Sequence, residues 1–192
     1  MALAQINSEA FTAHLYLDGR PVVLNQQRLQ KTLSGLRITQ AEKLDAEVGL
    51  ADSRVCSFIT LADHEDHTPL LLKFVPKGNE YAISIELAGT FDGARLFMED
   101  KTNNLLASTS APVQYFSFST YGVPKASFSN IKFGPAYLEL ISQKNNRPLY
   151  RLMSGSMSTF VNADPNKTGH DAFNNKSSIF VIKVIKPHPA TV

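Results

Sequence analysis

Two histidines three residues apart, within Asp63-His64-Glu65-Asp66-His67, form the densest group of ligating side chains in the chain. Imidazoles among carboxylates could hold a divalent cation. The run occupies a position where tandem segments of the same chain carry Asp100-Lys101-Thr102-Asn103 and Ser142-Gln143-Lys144-Asn145, which reads as a hairpin turn. A tight turn does not aim both rings at one ion, so the group is read as a solvated turn and no metal is assigned.

A second set lies between Asn162 and Lys176. Amide and carboxylate side chains on an ordered loop offer the mix of donors and acceptors that a sugar needs, or the oxygens that calcium needs. Asp164, Asn166 and Thr168 alternate as in a calcium loop, yet the glycine falls at the wrong offset and no glutamate closes the set. Asn162, Asp164, Asn166, His170, Asp171 and Asn174 are therefore the ligand-binding candidates, with no metal. Asn166-Lys167-Thr168 also fits the glycosylation pattern, which matters only for a chain that enters the secretory route.

Nucleophilic chemistry finds no foothold in the pattern. Met153-Ser154-Gly155-Ser156-Met157 lacks the strand-to-helix elbow that exposes a catalytic serine. Cys56, the lone cysteine, falls in an apolar run and reads as a buried structural thiol within a strand. Without a phosphate-cradling glycine loop either, the expectation is a protein that is not an enzyme, with no catalytic residues and no cofactor.

The elements that carry these residues are mostly strands. Ser57-Phe58-Ile59-Thr60-Leu61, Ala94-Arg95-Leu96-Phe97-Met98 and Ala136-Tyr137-Leu138-Glu139-Leu140 share one alternating pattern. Pro69, Leu106 and Pro148 follow at one offset, then Tyr81, Phe118 and Phe160, and Asn103-Asn104 falls on Asn145-Asn146. Tandem units of about 40 residues imply a repeat architecture, and an insertion in one unit marks the binding face. The third copy carries such an insertion, at 162–176. The predicted fold is all-β: a β-trefoil-like barrel of three repeats with a partly helical N-terminal segment. An antiparallel β-sandwich is the alternative.

Within that plan, Asp18-Gly19 joins two strands over residues 13–24. Leu29, Leu33 and Leu36 are spaced as on a helix, and Thr39 with Glu42 reads as the capping box of a second, ended by Gly49. From residue 54 onward the chain reads as strands, among them Val55 to Leu61 and Phe128 to Phe133. The expected division is 1–54 as a hairpin and short helices packed on the main domain, 55–187 as the repeat domain, and 188–192 as a tail.

Bulk properties narrow the partners. A chain of 192 residues with 43% apolar and 19% charged residues folds as a globular protein. Nineteen basic against 17 acidic residues, with no basic run, exclude a phosphate-tracking surface, so no nucleic acid is expected. The first nine residues have neither the charged nor the apolar part of a signal peptide, and no apolar run spans a bilayer. Soluble synthesis in the cytoplasm is expected, with non-classical release as the other route. The functional expectation is recognition of a carbohydrate or protein surface through loops. Two alternatives stand beside it: a pore-forming protein that oligomerises and inserts β-hairpins in a membrane, suggested by the amphipathic run Leu105 to Thr120, and a structural subunit of a larger assembly such as a particle or appendage; a homo-oligomer is among the expected partners.

Overall fold

The computed structural model describes residues 9–87, 89–164 and 176–188. Six strands close a barrel: β1 (Ala10–Leu17), β4 (Leu72–Lys77), β5 (Glu80–Ile85), β8 (Tyr115–Thr120), β10 (Ala136–Ser142) and β14 (Ile179–His188). Each pairs antiparallel with the next, and β14 returns to β1. Closure leaves the staves without an open edge. The sheet is thus closed on itself rather than split into the two facing layers of a sandwich.

Period-two alternation explains the filling. Phe11, Ala13 and Leu15 of β1 face inward, as do Tyr81, Ile83 and Ile85 of β5, and Phe116 and Phe118 of β8. Leu72 and Phe74, Leu138 and Leu140, and Phe180 and Ile182 complete the interior. Phe11 stacks on Phe74 at 4.7 Å between ring centroids, and Tyr81 on Phe118 at 4.4 Å. Burying each such ring stabilises the fold by about 1.5–3 kcal/mol.

Three two-stranded arms cover one end. They are β2 (Arg20–Leu24) with β3 (Ile59–Leu61), β6 (Arg95–Met98) with β7 (Leu105–Ser108), and β12 (Tyr150–Ser154) with β13 (Met157–Val161). The second strand of every arm meets the other two: Thr60 pairs with Thr159, Phe58 bridges to Leu106, and Asn104 bridges to Val161. Two short strands, β9 (Val123–Ala126) and β11 (Arg147–Pro148), flank β8 and β10.

Between β2 and β3 the chain inserts α1 (Asn25–Leu33), α2 (Gln40–Ala51) and α3 (Ser53–Cys56). Thr39 Oγ1 accepts from the Glu42 amide at 3.2 Å, and Glu42 Oε2 accepts from the Thr39 amide at 2.8 Å. Asp52 Oδ1 accepts from the amides of Arg54 and Val55, which starts α3.

Several sequence expectations are corrected here. The strand expected from Val55 narrows to Ile59–Leu61, because Ser53–Cys56 is helical; Cys56 is buried in that turn of helix rather than in a strand. Gly49 does not end its helix. It lies inside α2, where an added Cβ would stand 2.9 Å from Leu29 Cδ1, so its smallness lets α1 approach. Phe128 to Phe133 is a 3₁₀ turn followed by an irregular stretch, and Phe133 is exposed.

The three segments expected to be equivalent occupy unlike places. The three leading segments fall on β3, β6 and β10, so Ile59 and Leu96 lie in covering arms while Leu138 lies in a stave. β1, from the segment set apart as 1–54, is itself a stave bonded to both β14 and β4.

Candidate functional site: the cavity beside the helical insertion

A concavity of about 630 Å³ lies where the insertion meets the arms. Its helical wall comes from α1, α2 and their connection, through Arg28, Lys31, Thr32, Arg37, Glu42 and Asp45. The turn after β3 supplies Asp63, His64, Asp66 and His67, and the β12–β13 turn supplies Ser156 and Met157. A smaller recess of about 330 Å³ shares Lys31 and His67.

Arg28 organises this region. Its side chain is nearly buried, and Nε donates to Asp63 Oδ1 at 2.8 Å. Nη1 donates to Asn25 Oδ1 at 3.2 Å, while Nη2 donates to the carbonyl and hydroxyl of Ser156 at 3.3 and 3.2 Å. One guanidinium therefore ties α1, the 61–67 turn and the β12–β13 turn together, and the planar fork suits that divergent set of acceptors. Asn25 holds the other side: Nδ2 donates to the Val55 carbonyl at 3.0 Å.

His67 is buried against this wall, and burial holds its imidazole below the ordinary histidine range, with Asp63 and Asp66 pulling the other way. His64, Glu65 and Asp66 are exposed. The two imidazoles lie edge to face at 6.0 Å between centroids. No group of three or more His, Cys, Asp or Glu side chains among the described residues is arranged to hold a metal ion.

The candidates from the sequence lie elsewhere. Asn162 is buried: its amide donates to the Asn103 carbonyl at 3.2 Å, and Nδ2 donates to Asn145 Oδ1 at 3.0 Å. Asn145 returns a bond to the Asn162 carbonyl at 3.1 Å. Asn162 thereby fastens the end of β13 to the turns after β6 and β10. Asp164 lies 3.5 Å from Arg147. Asn166, His170, Asp171 and Asn174 fall outside the described residues. Neither Asn162 nor Asp164 lines the cavity.

Arg28, Asn25 and Lys31 escaped the sequence reading. The available signal was the buried stripe of α1, Asn25, Arg28 and Leu29, in which two polar residues stand at core spacing.

Compared with protein-family models, with curated proteins and with solved structures, the chain matches none.

Proposed function

We propose that the chain is a β-trefoil recognition protein, not an enzyme, and that the cavity beside its helical insertion takes a carbohydrate or the polar tip of a protein surface. The order of staves and arms supports the trefoil: two staves flank each arm, three times, around arms that meet one another. The observation that carries the functional reading is the cavity itself. It gathers donors (Lys31, Arg37) and acceptors (Asp45, Asp66) around about 630 Å³, a size and chemistry suited to a polyhydroxylated ligand.

The insertion is the natural place for specificity, because loops set on a rigid scaffold carry function at little cost to the core. Lys31 and His64 line the cavity without belonging to the Arg28 network, so their replacement tests binding separately from folding. A glycan array followed by titration calorimetry on the strongest hit is the experiment. Binding that Lys31→Ala and His64→Ala each weaken several-fold supports the reading. Absence of binding to glycans and, in pull-downs, to proteins would end it, as would binding that both variants leave unchanged.

A further inference from the structure

We infer that the chain associates head to tail, with the outer stripe of α2 docking on the β10–β14 wall of a second copy. The first surface is unusual for a helix in a globular protein. Only Ala46 of α2 is buried, against α1, and the apolar residues Ala41, Leu44, Val48 and Ala51 recur at spacings of three and four on the opposite side. Leu44 is 50% exposed and Val48 71% exposed. That spacing lays one continuous stripe along the helix, pointing away from the molecule.

The second surface lies on the outside of the barrel. Tyr137 of β10 stands opposite Val181 of β14, which in turn stands opposite Tyr16 of β1. Tyr137 is 72% exposed and Ile179, on the same outer face, 55%. Ile185, beside a bulge in the β1–β14 ladder, is also exposed. Apolar side chains in such a row form a patch rather than the scattered exposure normal for a soluble surface.

Charge decides which partner each surface fits. Residues 40–52 carry Glu42, Asp45, Glu47 and Asp52 against the single Lys43, within a chain whose net charge is +2. Two α2 stripes placed face to face would set carboxylates against carboxylates. The wall is opposite in character: Lys176, Lys183 and Lys186 are exposed along or just before β14, against Glu139, whose carboxylate already accepts from Ser177. An acidic apolar helix and a basic apolar wall on one chain are complementary between copies, not within a self-paired face. Such a contact is heterologous and builds rings or open strings of subunits.

The test uses the full chain and two surface variants, Val48→Glu on the helix and Tyr137→Glu on the wall, with circular dichroism confirming that both fold. Size-exclusion chromatography with light scattering should give the wild type a mass of at least twice 21.2 kDa at high concentration, reduced by salt. Each variant alone should be monomeric. Mixed together, they retain one intact surface apiece and should form a species of twice the monomer mass and nothing larger. A wild type that stays monomeric at every concentration overturns the proposal. So does a Tyr137→Glu variant that still dimerises, which would indicate pairing of like helices, or a mixture that fails to combine.

Discussion

Arg54 grips Glu99 with both ends of its guanidinium: Nε donates to Oε1 at 2.9 Å and Nη2 to Oε2 at 2.6 Å. The pair fastens α3 to the turn after β6, and Thr102 adds a hydroxyl donor to the same carboxylate. The Arg54 bonds lead in holding the Glu99 carboxyl down at about 2, from an ordinary 4.5. A depressed carboxyl contributes stability that is complete above pH 4.5 and is lost as the pH falls toward 2. Because the Arg54 side chain is 48% exposed, solvent screening limits the gain. Glu99→Gln should cost roughly 0.5–1 kcal/mol at neutral pH. Urea denaturation should show the difference from wild type shrinking below pH 4.5; a constant difference would argue against the ion pair as its source.

Tyr81 closes the barrel at the end away from the arms in a way that its ring alone would not. Its hydroxyl accepts from the Phe128 amide at 2.9 Å, and the whole side chain is buried. Tyr81→Phe keeps the stacking on Phe118 but leaves that amide without its acceptor, which should cost about 1–2 kcal/mol. The slope of the denaturation curve should stay the same while its midpoint falls. An unchanged midpoint would remove this bond from the account of stability.

Alternation made the strands legible, and the same alternation hid their arrangement. Phe116 and Phe118 share the buried face that their spacing requires, and Asp18-Gly19 turns the first hairpin with both residues at positive φ (51° and 77°). Thr39 and Glu42 announce the start of α2 by their side chains alone. Staves and arms, however, both bury one face, so a period of two cannot tell Ile59 in an arm from Leu138 in a stave. The turns carry the better marker. Gly19 and Gly93, at positive φ, lie just before β2 and β6, the first strands of two arms, and Asn146, also at positive φ, lies just before β11, ahead of the third. The helical insertion between β2 and β3 interrupts the run of strands there, so the first arm is split in the sequence. The cavity was less legible still, since Arg28 meets Ser156 across most of the chain length.

Arg28 should be the most sensitive polar position. Replacing it with methionine preserves much of the aliphatic packing but strips Asp63, Asn25 and Ser156 of their donor. The charge left behind, on Asp63, is partly exposed, so the loss should be about 1–3 kcal/mol, the cost of buried acceptors left without their donor. Thermal and urea unfolding should both register it. A loss below about 1 kcal/mol would mean that water substitutes for the guanidinium, as at an exposed pair.

His67 gives the cavity a pH dependence of opposite origin to that of Glu99. Burial is the main cause of its lowered pKa; Asp63 and Asp66 oppose the shift, while Lys31 and His64 add to it. The unfolded chain, with an ordinary histidine value of 6.5, therefore binds a proton more readily than the folded one. The sign follows directly: this residue's contribution is complete above pH 6.5 and diminishes as the pH falls through the folded value, below which it stays level. His67→Gln should flatten that part of the stability curve, because glutamine can keep a hydrogen-bonding group in the same place without titrating. If wild type and His67→Gln lose stability in parallel from pH 7 to about pH 5, the slope arises from other groups and His67 is not the titrating residue of this wall.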